Sequence, residues 1–142
     1  MKIQMHESIW ITVLLIFATG CSKNIGVTHT PTLFFPQQKE TPNAIMDALL
    51  VGKLMLVNDC LRVNDENNNS FLPIWPQGFS ARLNDGIIEV VDENDQLIAQ
   101  VDDNLRIGGG EMPGQSIKGY TLQPLPDNCP GPYWIVGDEI TR

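Results

Sequence analysis

Apolar and polar positions divide the chain into three stretches of different periodicity. The first is an uncharged run, "IWITVLLIFATG", spanning 9–20; it follows a short segment carrying Lys2 and Glu7 and ends at Cys21. A run this short does not cross a bilayer as an ordinary helix. The second, 22–43, reads "SKNIGVTHTPTLFFPQQKETPN", rich in Thr, Pro, Asn and Gln, with no sustained period. The third, 44–142, alternates short apolar or β-branched runs with clusters of Asn, Asp, Gly and Pro, the pattern of strands and turns.

Within the third stretch, "ALLVGKLMLVNDCLRVN" is split by Asn58 and Asp59, residues that tolerate the left-handed backbone of a tight hairpin. Strands are predicted near 50–57 and 60–63. "NDENNNS" is a polar loop, and "FLPIW" is a short strand whose Pro73 belongs at an edge or a bend. The clearest hairpin is "GIIEVVDENDQLIAQVDD", with its turn at 92–96. Further strands are expected at 105–107, 117–122 and 133–136, and "TPNAIMDALL" predicts one or two helical turns capped by Thr41 or Asn43. About seven short strands without a long helix predict an all-β fold, a small closed or half-open β-barrel of OB-like or Greek-key type. Such sheets avoid open edges by closing.

Composition narrows the class. The 142 residues allow one domain plus extensions, and 42% hydrophobic against 18% charged residues supply a core. Seventeen acids against nine bases leave a net charge of -8, which repels polyanions. Nucleic acid is therefore not an expected partner, nor is an anionic membrane surface held through protein charge.

The uncharged run reads as an export signal. Ala18, Thr19 and Gly20 before Cys21 resemble the lipobox of bacterial lipoproteins, with Ala18 standing where leucine is usual. The resemblance implies a signal peptide over 1–20 and a Cys21 carrying two or three acyl chains, each buried methylene adding about 0.8 kcal/mol of membrane affinity. Two other readings stay open: a cleaved signal leaving Cys21 a free thiol, and an uncleaved anchor. Ser22 stands where aspartate would mark inner-membrane retention in enteric bacteria, so the resemblance favours the outer membrane where the cell has one. Residues 21–43 then form a lipidated N-terminus and flexible tether reaching on the order of 60 Å. Leu33, Phe34 and Phe35 are expected to pack loosely or not at all, in preference to docking.

In an exported chain the two remaining cysteines, Cys60 and Cys129, most simply pair, contributing about 4 kcal/mol through loop closure. A metal role is disfavoured, because neither has a second cysteine or a histidine at ligand spacing. The only histidines are His6 and His29, so residues 44–142 hold no imidazole base for Ser70, Ser80 or Ser116. Glu89, Glu111 and Asp138 are candidates for a carboxylate pair, but nothing in their spacing selects them. In "DENDQ", Asp92, Asn94 and Gln96 alternate as in a calcium loop, with Asp103 further on. The glycine of the sharp bend is missing, so a plain hairpin turn is preferred. "RIGGGEMPG" fits a bulge or a close strand crossing better than a phosphate cradle, which would lead into a helix.

Trp75 and Phe79 in "LPIWPQGF", and Tyr133 and Trp134 in "CPGPYW", are the candidate ligand-binding residues if their rings form one exposed face. A small domain with few aromatics more often spends them on its core, and packing is the preferred reading. The third stretch also resembles an uncharacterised bacterial extracytoplasmic domain in which "CLRV", "LPIWPQGF", "IGGGE" and "CPGPYW" occur in this order. That resemblance implies the disulfide and a single domain, and no particular activity. The expectation is a lipid-anchored envelope module that binds or scaffolds, with no catalytic residues, metal or cofactor. Its expected partners are the bilayer, through the acyl chains, and an envelope protein or glycan. The alternatives are a carbohydrate or small-ligand binder using the aromatic residues, and a carboxylate-dependent hydrolase.

Overall fold

The computed structural model describes residues 33–40 and 46–142. Cys21, the expected signal peptide and most of the expected tether lie outside the described residues.

The described chain is all-β: β1 (Ala48–Val57), β2 (Cys60–Asp65), β3 (Ser70–Ile74), β4 (Ser80–Asn84), β5 (Ile87–Val91), β6 (Leu97–Gln100), β7 (Asn104–Met112), the single-turn α1 (Gly114–Ile117) and β8 (Tyr133–Thr141). Five strands form a barrel-like ring in the order β1-β2-β3-β8-β7, with β7 pairing back onto β1. All its pairings are antiparallel except β3 with β8. This order, with one parallel seam between the third and last strands, is that of an OB-type Greek-key barrel. The remaining strands form a meander, β4-β5-β6, whose Ile88, Val90 and Ala99 pack into the main core.

A ring this small requires its long strands to bend. β1 pairs with β7 through Ala48–Lys53 and with β2 through Gly52–Val57, so Gly52 sits where the strand passes from one neighbour to the other. A Cβ at Gly52 would collide with the Asn64 carbonyl. β7 turns in the same way at its triple glycine, where its register with β8 shifts between Ile107 and Gly109. Gly109 has φ +146, and a Cβ there would collide with the Ile135 carbonyl. The bulge and close-crossing reading of "GGG" therefore holds.

The wall of the barrel is buried on both faces where β2, β3 and β8 meet. Leu61, Val63, Phe71, Trp134 and Val136 belong to the main cluster with Leu54, Leu105 and Ile107. Cys60, Leu72, Ile74 and Ile135, which alternate with them, join Met112, Ile117 and Cys129 in a second cluster. An outer layer over this wall explains why these strands read as unbroken apolar runs. That layer is the segment from Pro113 to Pro132.

Several expectations change. Residues 117–122 are not a strand: α1 ends at Ile117, turns follow, and only Thr121 makes a bridge, to Gln38. β4 went unpredicted because only Ala81 of its five residues turns toward the core. Where helical turns were expected over 41–50, Ala48–Leu50 already belongs to β1, and 41–45 lies outside the described residues. Leu33, Phe34 and Phe35 do not hang loose. Phe34 bridges Cys60, Gln37 bridges Trp75, and the Phe35 ring stacks on Trp75 at 5.5 Å and 11°. Buried Gln38 donates its amide to the carbonyls of Ile74, at 2.8 Å, and Val136, at 2.6 Å. Residues 33–40 are thus part of the barrel wall rather than tether.

Candidate functional site

The segment joining β7 to β8 is long, and its backbone is held at several separate places. Pro113 opens α1, whose Ser116 and Ile117 amides donate to the Pro113 carbonyl, and the Ile117 side chain is buried in the second cluster. The chain then bonds to the docked N-terminal segment, Leu122 N–H to the Gln37 carbonyl and Lys39 N–H to the Tyr120 carbonyl. Pro124 and Pro126 stiffen the next stretch by fixing φ. Cys129 is disulfide-bonded to Cys60, as expected, with Cα atoms 5.8 Å apart. Asn128 Nδ2 donates to the Asn58 carbonyl at 2.9 Å, and the Leu72 amide to the Pro132 carbonyl at 2.8 Å.

Two hollows flank this pinned segment. The larger is an open groove of about 680 Å³ floored by Ile117, Leu125 and Tyr133 and edged by Lys118, Gln123 and Asp127. Its size is that of small-ligand sites, which run to roughly 300–1,000 Å³, and its lining is divided almost evenly between apolar and polar surface. The smaller, about 430 Å³, lies between the hairpin turn at Asn58, the β2–β3 connection at Asn68 and Asn69, and residues 128–132. Pro130 belongs to the walls of both.

Arg62 stands in the smaller hollow, only 6% exposed. Its Nε donates to Ser70 Oγ at 2.9 Å, Nη1 to the Pro130 carbonyl at 2.7 Å, and Nη2 to the Ser70 carbonyl. Ser70 Oγ in turn donates to Asn64 Oδ1 at 2.6 Å. Burial pushes the guanidinium pKa down from its ordinary value, with Tyr133 pulling it the other way, and the group keeps its charge. No ion pair among the described residues involves it.

The aromatic candidates do not form one exposed face. Trp75 is fully buried between the rings of Phe35 and Phe79, and Trp134 is buried edge-on to Phe71. Phe79 is half-buried in the same main cluster. Of the four, Tyr133 alone lines a hollow, the larger groove. Packing, the preferred reading, accounts for both tryptophans.

The acids are engaged in surface networks. Glu89 accepts from Arg82 Nε at 2.8 Å and Asn84 Nδ2 at 3.0 Å. Those bonds, Asn84 first, hold its carboxyl below the ordinary 4.5, whereas a general acid needs a raised value. Glu111 and Asp138 are exposed. Asp92 Oδ1 accepts the amides of Asn94 and Gln96, both at 2.8 Å, closing the hairpin turn. Asp103 serves the Gln100 amide instead, at 2.9 Å. Among the described residues no three acids, cysteines or histidines gather where they would hold a metal ion.

Sequence reasoning passed over Arg62 and the proline-walled groove. The signal for the first was one cation inside "CLRV", where alternation sends Arg62 to the face opposite Leu61 and Val63. For the second it was "LQPLPDNCPGP", a proline density that fits neither strand nor solvent-swept tether. No protein-family model, curated protein or solved structure matches the chain.

Proposed function

We propose that the chain is a lipid-anchored, extracytoplasmic envelope protein whose barrel serves as a binding module, its ligand-facing surface being the two flanks of residues 113–132. One observation carries the binding reading: a proline-stiffened segment, tied to the barrel by a disulfide and backbone bonds, walls a groove of ligand size. A groove with fixed walls binds without first paying to order them. OB-type barrels bind oligosaccharides and oligonucleotides at the corresponding loops. That is a likeness of fold, and the acidic net charge turns it away from nucleic acid.

The export and anchoring parts rest on the lipobox-like Ala18–Thr19–Gly20–Cys21 and agree with a disulfide, which persists in oxidising compartments. Binding is preferred to acid-pair hydrolysis because Glu89, the most enclosed of the three candidate acids, is held ionised by Arg82 and Asn84. Tyr133 remains from the aromatic proposal, as floor of the groove rather than as a stacking platform.

Anchoring is tested by intact mass of the native protein: a chain beginning at Cys21 with its acyl groups supports it, and one beginning at Met1 ends it. Binding is tested by titrating the full chain in detergent with a panel of envelope saccharides, beside Gly114→Trp. Gly114 lies on the groove, and a Cβ there meets Tyr133 at 3.6 Å, ordinary van der Waals contact, so a larger side chain starts from a position with room and enters the groove. Saturable binding by the parent, weakened about tenfold or more in the variant at equal thermal midpoint, is the expected result. Equal binding by both would remove the groove from the proposal.

A further inference from the structure

Arg62 presents a charge that the barrel does not balance. A buried ion without a partner costs several kcal/mol, and folded chains normally supply a carboxylate to offset it. Here the three acceptors are a serine hydroxyl and two backbone carbonyls, all neutral. A guanidinium has five N–H donors, so two on its terminal nitrogens are left over. The chain has a net charge of -8 and seventeen acids, yet among the described residues no ion pair reaches Arg62.

The surroundings define what would complete it. Asn58, Asn68, Asn69 and Asn128 line the same hollow with Ser70; Asn69 Nδ2 donates to Asp65 Oδ2 and Asn128 Nδ2 to the Asn58 carbonyl, and the amide oxygens and second N–H groups that are left both accept and donate, the pattern that suits hydroxyls. One fixed cation amid amides matches one anionic group amid hydroxyls. Phosphate monoesters, at close to two negative charges, would be underpaired by a single guanidinium and opposed by the acidic surface. The volume, about 430 Å³, exceeds what a bare carboxylate fills.

We propose that the hollow between Asn58, Asn68 and Asn128 is a binding site for a carboxylate-bearing sugar, with Arg62 pairing the carboxylate and the asparagines receiving the ring hydroxyls. This rests on the binding-module reading and names the ligand class of its smaller flank. The carboxylate offers planar acceptors for the leftover N–H groups, and pairing would remove the cost of the buried charge.

The experiment titrates the full chain in detergent with three probes: a glucuronic-acid-containing disaccharide, the matching neutral glucose disaccharide, and an N-acetyl dipeptide with one free carboxylate. The acidic disaccharide is expected to bind about tenfold or more tightly than the other two, the increment of a charge-assisted hydrogen bond. One variant keeps the test independent of folding. Asn68→Asp adds a repelling carboxylate at an exposed residue whose positive φ of 63 aspartate also tolerates. Asn68→Asp should abolish the preference at unchanged thermal midpoint. The proposal fails if the acidic disaccharide does not bind, if the neutral sugar or the dipeptide binds as tightly, or if Asn68→Asp keeps the preference. Equal binding of both sugars would sink the carboxylate assignment and leave the binding module standing, whereas loss of the acidic disaccharide in Gly114→Trp would put that sugar in the larger groove and overturn the Arg62 site.

Discussion

At the scale of single residues, Gly109 and Gln38 do work that no other residue type can take over at those positions. Gly109 combines a φ reserved for glycine with the close passage of β8, so Gly109→Ala should destabilise the protein by about 3 kcal/mol or more. A urea midpoint equal to the parent's would contradict the close-crossing account. Gln38 satisfies two carbonyls where β3 and β8 run parallel, and Gln38→Leu keeps the volume while leaving both without that donor, at about 1–3 kcal/mol. The two buried indoles behave differently, since neither Trp75 Nε1 nor Trp134 Nε1 has a hydrogen-bond partner. Both rings are there for area and shape, which is why they were poor indicators of a binding face. Glu89 sets a pH dependence. Its folded pKa lies below 4.5, so its contribution is fully present above pH 4.5 and is lost as pH falls through the folded value. Glu89→Gln should flatten the acid limb of the stability curve; an unchanged limb would show that other carboxylates govern it.

Among the elements, those held by their own apolar pattern were legible and those held by distant backbone were not. The β5–β6 hairpin could be read because Ile88, Val90 and Ala99 face the core across a turn closed by Asp92. The hairpin at Asn58 and Asp59 was legible for the same reason, both residues having positive φ. β4 was not, because an edge strand of "SARLN" is retained by its ladder with β5 rather than by burial. Its turn signal, Asp85 and Gly86, was nevertheless present. Residues 117–122 misled because their apolar Tyr120 and Leu122 are exposed while polar Thr121 is the buried one, held by a bridge to Gln38, the reverse of what the apolar positions implied. For the candidate site, the disulfide was legible from cysteine count and the export expected of the chain, whereas the hollows depend on backbone bonds between residues far apart in sequence. The segment 113–132 should therefore depend on its staple. Replacing both Cys60 and Cys129 with alanine, which opens a loop with a sequence separation of 69, should cost about 4 kcal/mol. Limited proteolysis should then cut within 113–132 first. A first cut in the β4–β6 meander would mean that the backbone bonds alone hold the segment.

For the whole molecule, the docking of residues 33–40 changes how the barrel relates to its proposed anchor. Phe35 covers one face of Trp75, and Gln37 and Gln38 extend the wall beside β3, so the N-terminal segment completes the core rather than leading to it. If Cys21 carries the lipid, the chain between the lipid and the barrel ends at Leu33. Whatever path those residues take, at 3.3–3.6 Å per residue they span at most about 40 Å, roughly half of what a free chain to residue 43 could reach. The groove and the Arg62 hollow would then work close to the membrane, within reach of ligands attached there. Deleting 33–40 tests the structural half of this, because it uncovers Trp75 and unpairs the carbonyls of Ile74 and Val136 together. With each kcal/mol worth about 4–8 °C in a domain of this size, the thermal midpoint should fall by more than about 10 °C. A midpoint within a degree or two of the parent's would return the segment to the tether and restore the longer reach.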